Sequence, residues 1–303
     1  MSSVFLCSRF VARSQLTLTT LVALAFLNAC ATAQQVGPAR SFFAADYEKK
    51  IAAIVNKDGS LGYQDSIRDI HDAQLLKNGN WLIQTSFSNV VEIDPKGKQV
   101  WKYEPDQTSG RIEIHAFRRL ENGLTMVAES GASRIIEVDD KGAIQHQVKL
   151  QVEKSDPHRD TRLVRMTPEG NYLVSHEAEL CVREYDRTGK VVWEYMVGSK
   201  LYSAVRLANG NTLIGTGDGH RVIEVNKAKE IVWELKEKDL EGVSLAWVTM
   251  VERLPNGNTW IVNCHAGPDN PQILEVTKDK KVAWSFRDFD KFGNALPVAI
   301  PIP

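Results

Sequence analysis

The sequence predicts an all-β fold, a six-bladed β-propeller of four-stranded antiparallel blades, on two recurring signals. The first is a Glu followed nine positions later by Trp or His, and its five copies begin at Glu92, Glu137, Glu184, Glu224 and Glu275. The second is an Asn-Gly or Glu-Gly turn that precedes each copy. Successive copies lie 40 to 51 residues apart, and this spacing is typical of propeller blades.

Each blade is predicted to contain four short strands joined by tight turns. In the first full copy the strands cover residues 71–76, 81–85, 90–94 and 99–103. The turns between them contain Gly79 and Gly97, because glycine tolerates the positive φ that such turns need. β-branched residues alternate with polar ones along these strands, as in half-buried sheets. The later blades follow at residues 115–150, 161–197, 201–237 and 246–288.

The sixth blade has to be assembled from both ends of the chain. Residues 54–63 keep the spacing of two outer strands, although Ile54 replaces the recurring Glu. Residues 295–302 can supply the innermost strand, because Pro297 and Pro301 can turn the side that lacks an N–H group toward the channel. The C-terminal strand would then close the ring by joining the N-terminal blade. The alternative is a short helix within residues 41–56, which predicts five blades with an N-terminal helical cap.

Residues 1–33 are predicted to be a signal peptide. Arg9 and Arg13 precede an apolar or hydroxylated stretch, and Ala31-Thr32-Ala33 offers a cleavage site. Residues 27–30 also resemble a lipobox, so a lipid anchor at Cys30 is the alternative. We therefore predict a periplasmic or secreted protein. Its mature chain, residues 34–303, would be a single propeller domain without a transmembrane span.

The charge and the cysteine content argue against a nucleic-acid partner and against a disulfide bond. The chain carries 37 Lys and Arg against 38 Asp and Glu, a net charge of −1, and so lacks the basic surface of a nucleic-acid-binding protein. Cys181 and Cys264 belong to blades that are not neighbours, whereas a disulfide needs Cα atoms within roughly 7 Å. We expect two free, buried thiols.

Two sets of residues recur with the blades, and we interpret both as structural. The aromatic residue of the fourth strand is expected to fill the wedge between neighbouring sheets. An Arg recurs on the first strand, with Leu75 as the exception: Arg119, Arg165, Arg206 and Arg253. We expect these arginines to form ion pairs with the recurring Glu between neighbouring sheets. The alternative is an arginine-lined channel that attracts anions.

A third set of residues does not recur, and it marks the candidate site. First strands begin, and antiparallel second strands end, at the same end of every blade. Six of the seven histidines fall at this end. The candidate catalytic residues there are His71, His115, His265 and Arg162, and the candidate ligand-binding residues are Glu129, His176, Glu177, Tyr202, Trp247 and Asn263. Imidazoles together with Glu could also bind a divalent metal, most plausibly zinc. The alternative is a polar rim that binds nothing.

Two stretches resemble a known family. Residues 71–80 contain His-Asp-Ala followed by Asn-Gly-Asn, and residues 92–101 contain Glu-Ile-Asp-Pro-Lys-Gly followed by Trp. They resemble the blades of exported quinoprotein (PQQ-like) and arylsulfotransferase propellers, over nearly all of residues 34–303. An arylsulfotransferase-like activity would use a His to carry the sulfuryl group, with Arg162 or further histidines holding its oxygens. PQQ is not expected, because the adjacent cysteine pair of many quinoproteins is absent.

The sequence therefore favours an exported binding or scaffold propeller over an enzyme. Its histidine-rich end would bind a small molecule or a protein of the cell envelope. An arylsulfotransferase-like transferase, or a metal-dependent lyase similar to streptogramin lyase, would use histidines at the same end.

Overall fold

The computed structural model describes residues 34–153 and 155–302, and the regular structure of this part consists of β-strands. Six antiparallel sheets form the predicted six-bladed propeller. The predicted signal peptide and the alternative lipid anchor at Cys30 lie outside the described residues. Within these residues, no helix has the length and apolarity needed to cross a membrane.

The strands are numbered in chain order, and the blades are numbered from the N-terminal one. Blade 1 contains β25 (Val298–Pro301), β2 (Phe42–Asp46), β3 (Ile51–Val55) and β4 (Leu61–Ser66). Blade 2 contains β5 (Ala73–Leu75), β6 (Trp81–Ile83), β7 (Val90–Ile93) and β8 (Gln99–Tyr103). Blade 3 contains β9 (Glu113–Arg119), β10 (Thr125–Ser130), β11 (Arg134–Val138) and β12 (Ile144–Lys149).

The second half of the ring repeats this order. Blade 4 contains β13 (Val164–Met166), β14 (Tyr172–His176), β15 (Cys181–Tyr185) and β16 (Val191–Met196). Blade 5 contains β17 (Ser203–Arg206), β18 (Thr212–Gly215), β19 (Val222–Val225) and β20 (Ile231–Leu235). Blade 6 contains β21 (Trp247–Arg253), β22 (Thr259–Cys264), β23 (Ile273–Val276), β24 (Val282–Arg287) and the added β1 (Gln34–Val36). The first strands of neighbouring blades contact one another all the way around the axis.

The two ends of the chain close the ring as predicted. Strand β25 pairs antiparallel with β2, and Phe42 lies opposite Pro301. Just beyond the strand, the Ile302 N–H donates to the Ser41 carbonyl at 3.0 Å. The five-bladed alternative is wrong, because β2 and β3 pair as neighbouring antiparallel strands where the alternative placed a helix.

Blade 6 carries a fifth strand that was not predicted. Strand β1 pairs antiparallel with the outermost β24, and Gln34 lies opposite Arg287. The Trp284 indole donates to the Gln35 side-chain oxygen at 3.2 Å. Three residues carry too little periodicity to identify a strand, but here they cover the outer edge of the sheet.

The recurring Glu and the aromatic residue nine positions later are direct cross-strand partners. Glu92 lies opposite Trp101, and Glu184 lies opposite Trp193. The other three copies show the same pairing. In all six blades the register between the third and fourth strands shifts beside this position. The fixed spacing therefore reflects one tight turn and one bulge.

Three arginines of the first strands form the expected ion pairs with the preceding blade. They are Arg119–Glu92 at 3.0 Å, Arg206–Glu184 at 2.6 Å and Arg253–Glu224 at 2.8 Å. Each guanidinium also lies over the Trp opposite that Glu, 4.9 to 5.5 Å from the ring centroid. The prediction of structural ion pairs between sheets is confirmed for these arginines.

Arg165 departs from the pattern and enters the channel. Its guanidinium contacts the two carboxylate oxygens of Asp72 at 2.9 and 3.0 Å. Arg118 approaches the same carboxylate at 2.8 Å. Arg187 takes the place of Arg165 beside Glu137. The prediction is therefore wrong for Arg165, and the reason is that the buried Asp72 competes for its guanidinium.

Blades 1 and 2 replace the ion pair with apolar residues. Leu75 and Ile54 occupy the Arg and Glu positions of these blades, and both pack against the same apolar cluster. At the other side of blade 1, Arg40 pairs with Glu275. Where blade 2 lacks the recurring Arg, the preceding blade 1 also lacks the recurring Glu, so neither blade is left with an unpaired charge at this position.

The two thiols in the described part of the chain are as expected. Cys181 and Cys264 are free and buried. Burial raises the pKa of the Cys181 thiol to about 12, so it carries little thiolate and is not a reactive nucleophile.

Candidate functional site

We call the end at which first strands begin the histidine face, and the opposite end the turn face. An axial pocket of about 380 Å³ lies at the histidine face. Its aromatic walls come from Tyr47, Phe87, Tyr202 and Trp247, and its polar groups include His71, His158, Arg162 and His265. Residues that belong to five blades and to the loop before blade 4 meet here, so the pocket exists only because the ring closes.

His71 lies at the centre of the polar side of this pocket. Its side chain is buried and stacks on His115, with ring centroids 4.4 Å apart, and on Tyr202 at 5.7 Å. Arg162 Nη1 donates to His71 Nε2 at 2.8 Å. Since a guanidinium can only donate, Nε2 is the acceptor and Nδ1 carries the proton. Nδ1 has no hydrogen-bond partner among the described residues.

The His71 imidazole is neutral for physical reasons. Burial lowers its pKa well below the usual value, and the neighbouring His115, Arg162 and His158 lower it further. A neutral ring with a buried, unpaired N–H group is costly unless a ligand accepts that hydrogen bond. His71 therefore offers a hydrogen-bond donor that no residue of the described part of the chain accepts.

Arg162 is held in place by a buried carboxylate. Its guanidinium pairs with Glu177, which is 2% exposed. The guanidinium carbon also lies 5.9 Å from the centroid of the Tyr202 ring. Glu177 balances the charge of Arg162, so the guanidinium adds little net positive charge to the pocket. Its role is to orient His71 and to present N–H groups in fixed directions.

His115 was a candidate catalytic residue, but the structure places it behind His71 and fully buried. Its Nδ1 lies 2.7 Å from the Thr161 carbonyl, and its Nε2 lies 2.9 Å from Glu113 Oε2. Burial lowers its pKa to about 4, although the hydrogen bond with Glu113 opposes the shift. With both nitrogens occupied, the ring has no free position for attack on a substrate.

A β-bulge explains how His115 comes to point there. Ala128 pairs with Ala116, but the next residue, Glu129, pairs with Ile114, so His115 is the extra residue of β9. Such bulges change the direction of one side chain and are common beside functional sites.

His265 reaches the pocket from the opposite wall. Its Nε2 lies 2.8 Å from the Tyr47 hydroxyl, and its φ of 58° is left-handed. Burial lowers its pKa, and this outweighs the opposing effects of Asp46 and Glu48. His265 is therefore neutral at pH 7, in a backbone conformation that is uncommon for a residue other than glycine.

The predicted ligand-binding residues divide into two groups. Tyr202 and Trp247 line the axial pocket. The other four bond within the protein: Glu129 to Tyr103 and Arg134, His176 to Tyr185 and the Asp160 carbonyl, Glu177 to Arg162, and Asn263 to backbone groups of residues 244, 246 and 271. These four residues hold the strand ends and loops around the pocket in place.

Four residues of the site were not among the named candidates, although one of them, His158, is among the six histidines predicted to lie at this end. Tyr47 lies in the segment that allowed a helical interpretation, and Phe87 is a lone aromatic residue in a serine-rich loop. Glu113 is nearly fully buried, and its Oε2 lies 2.7 Å from His158 Nδ1. Burial opposes ionisation of Glu113, but hydrogen bonds from His115 and His158 hold its pKa below the usual value. The only sequence signal for this last residue was its position two before His115.

Comparisons with known proteins agree with the fold and leave the activity open. A family described as Mal s 1 allergenic protein-like matches residues 128–260. No curated protein matches the sequence. A solved structure of a protein of unknown function from Bacteroides caccae is 26% identical, with a TM-score of 0.78 over 87% of this chain and 98% of that chain.

Two lyase structures share the fold at lower identity. A catalytically inactive virginiamycin B lyase from Staphylococcus aureus, with quinupristin, is 11% identical, with a TM-score of 0.60 over 86% of this chain and 89% of that chain. A streptogramin B lyase is 9% identical, with a TM-score of 0.62 over 89% of this chain and 97% of that chain. These comparisons support the propeller fold, and the resemblance to quinoprotein and arylsulfotransferase propellers stays a prediction.

Proposed function

We propose that the chain is a binding protein that takes a small aromatic molecule bearing a hydrogen-bond acceptor into the axial pocket. The observation that carries the proposal is the buried His71 Nδ1–H group, which no described residue accepts, on a side chain that lines a pocket walled by aromatic residues. A carbonyl, carboxylate or sulfonate oxygen would complete that hydrogen bond, and the aromatic walls would contact the rest of the ligand.

The size of the pocket favours a small molecule over a protein segment. A volume of about 380 Å³ lies near the lower end of the roughly 300–1,000 Å³ that is usual for small-molecule sites. Export to the periplasm or the cell surface, as residues 1–33 predict, belongs to the same proposal. Cell fractionation would test it separately.

The fluorescent aryl sulfonate ANS is a suitable probe, because it combines aromatic rings with an anionic acceptor. We expect saturable ANS fluorescence with the wild type. His71→Phe keeps an aromatic ring but removes the donor, so we expect the Kd to rise roughly tenfold, which corresponds to the loss of about 1.4 kcal/mol of binding free energy.

The matched control is His220→Asn. His220 is also at the histidine face, where it lies 3.6 Å from Glu237, outside the pocket, and Asn tolerates its φ of 52°. This variant should bind ANS like the wild type. Equal affinity of the wild type and His71→Phe would contradict the proposal.

A second candidate function is an elimination reaction at the other wall, similar to that of a lyase. The observation that favours it is the neutral His265 imidazole 2.8 Å from the Tyr47 hydroxyl. The imidazole could take a C–H proton, the electron pair would form a double bond, and the departing group would receive the Tyr47 proton. Burial raises the pKa of Tyr47 far above its usual value, so its proton is retained until it is needed.

Chromatography of a streptogramin B substrate after incubation with the protein and a divalent cation would test this second candidate. We expect His265→Asn and Tyr47→Phe each to slow turnover by roughly 10²-fold or more. An intact substrate after long incubation with the wild type would leave ligand binding as the function.

An arylsulfotransferase-like activity has less support in the geometry. His115, one of the candidate positions for carrying a sulfuryl group, has both ring nitrogens occupied. Release of nitrophenol from nitrophenyl sulfate in the presence of a phenol acceptor would revive this alternative.

A further inference from the structure

Three side chains beside the axial pocket direct donor atoms toward one point. Glu113 Oε2 lies 2.9 Å from His115 Nε2 and 2.7 Å from His158 Nδ1. The three donor atoms all lie within 4.8 Å of one another. Glu113 and His115 are on β9, whereas His158 is in the loop that leads into blade 4, so the fold and not a local motif brings them together.

The hydrogen bonds of His115 cannot all be made by a neutral ring. Its Nδ1 lies 2.7 Å from the Thr161 carbonyl, which only accepts, so Nδ1 carries a proton. Its Nε2 faces a carboxylate oxygen of Glu113, which also accepts. Two acceptors therefore face the two ring nitrogens of His115, and a cation held between Nε2 and the Glu113 carboxylate would satisfy both groups.

The surroundings of these ligands resemble those of known metal sites. A metal-bound His commonly donates its other ring N–H to a backbone carbonyl, as His115 does to Thr161. A metal-bound carboxylate is commonly held by a further contact, and Arg111 pairs with the second oxygen of Glu113. These contacts fix the direction of both donor atoms.

We propose that Glu113, His115 and His158 bind a divalent first-row transition metal, with at least one coordination position open toward the axial pocket. Two imidazoles and one carboxylate suit zinc or iron(II) much better than calcium or magnesium. In a tetrahedral site, metal–ligand bonds of about 2.0–2.2 Å separate neighbouring donors by roughly 3.3–3.6 Å. Glu113 Oε2 would therefore have to move roughly 0.5 Å or more away from each histidine nitrogen to admit the metal.

The open position follows from the exposure of the third ligand. The His158 side chain is 41% exposed, whereas Glu113 and His115 are almost completely buried. His158 also lines the axial pocket. A metal held by three protein ligands would therefore face solvent or a pocket ligand on the His158 side, as catalytic metals do. The metal site is independent of whether the pocket binds an aromatic molecule.

Metal content is the direct test, on the full chain purified without a histidine tag. After chelation and dialysis against Zn²⁺, we expect elemental analysis to find one zinc ion per chain. Co²⁺ should give a visible absorption band, which reports coordination without any assay of activity. Thermal unfolding should shift to higher temperature with added Zn²⁺.

His158→Ala is the principal variant, because a half-exposed loop residue can be truncated with little risk to the fold. We expect it to weaken Zn²⁺ binding at least tenfold, and Glu113→Gln to do the same. His220→Asn is again the control and should bind Zn²⁺ like the wild type. If the wild type takes up no stoichiometric metal, or if neither variant lowers the affinity, the proposal is wrong.

Discussion

The two faces of the propeller are built by different rules. At the turn face the same contact occurs in three blades: an Arg bridges to the Glu of the preceding blade and lies over its Trp. At the histidine face, the contacts that the structure describes around the axial pocket differ from blade to blade. Repetition is expected of packing that every blade needs, whereas a site needs one arrangement of unlike groups.

The bulges show the same difference. The register between third and fourth strands shifts at the equivalent position of all six blades. The first-strand bulges of the described chain are confined to two blades, at His115 in β9 and between Val248 and Val251 in β21. Both lie beside the axial pocket, which also contacts Thr249. A bulge found in every blade is part of the repeat, and a bulge in one blade directs a particular side chain.

The largest expected effect tests the structural interpretation of the turn face. The Arg206 and Glu184 side chains are 4% and 10% exposed. Arg206→Leu would leave the Glu184 carboxylate without its charged partner, so we expect the free energy of unfolding to fall by about 3–5 kcal/mol. Urea unfolding followed by circular dichroism would measure it.

The double variant Arg206→Leu/Glu184→Ile sharpens this test. It copies the apolar pair that blades 1 and 2 already use at Leu75 and Ile54. We expect it to recover most of the lost stability, since a well-packed apolar pair often matches a buried ion pair. A double variant as unstable as the single one would show that the recurring pair does more than pack the blades.

The next prediction concerns the pH dependence of stability, through a buried histidine of the histidine face. Burial lowers the pKa of His176 from 6.5 to about 4, although its bond to the Asp160 carbonyl opposes the shift. Between these values the unfolded chain binds the proton and the folded chain does not. Stability should therefore fall as the pH drops from about 6.5 to about 4, by roughly 1.4 kcal/mol per pH unit for this group.

His176→Gln would isolate this contribution. We expect its unfolding free energy to depend less steeply on pH over the same interval, measured by urea unfolding in matched buffers. Identical slopes for the variant and the wild type would mean that His176 titrates alike in both states.

The smallest effect on stability is expected at His71, where a binding residue should differ most from a packing residue. His71→Phe removes a buried unpaired N–H group, which should raise the free energy of unfolding by about 1–3 kcal/mol. It also removes the nitrogen that accepts a hydrogen bond from Arg162, which should lower the free energy of unfolding. The two effects nearly cancel, so thermal unfolding should shift by only a few degrees. A large loss of stability would place His71 with the structural residues.

The spacing of residues along the chain was enough to predict most of the turn face. Glu184 and Trp193 are cross-strand partners, so local strand pairing determines how far apart they lie in the sequence. The same reasoning predicted β25, because prolines restrict which edge of a strand can be paired. It did not predict that Arg165 would pair with Asp72 instead of Glu137, since that competition depends on two residues 93 positions apart.

For the histidine face, the sequence predicted which residues lie there but not how their side chains are arranged. Strand direction alone placed His71, His115, Arg162 and His265 at one end of the ring. It could not show that His115 lies behind His71, because one unpaired residue in β9 decides that. Nor could it identify Tyr47 as the partner of His265, which is 218 residues away in the chain.

The amino-acid sequence by itself determined the four-stranded blade and its repetition, because these depend on contacts between neighbouring strands. The tertiary structure decided between six blades and five, since it showed that residues 42–55 form paired strands. Only the tertiary structure decided which imidazoles face the pocket, which face a carboxylate and which donor is left unpaired. Those outcomes depend on side chains from different blades meeting at the axis, and they meet there only after the ring has closed.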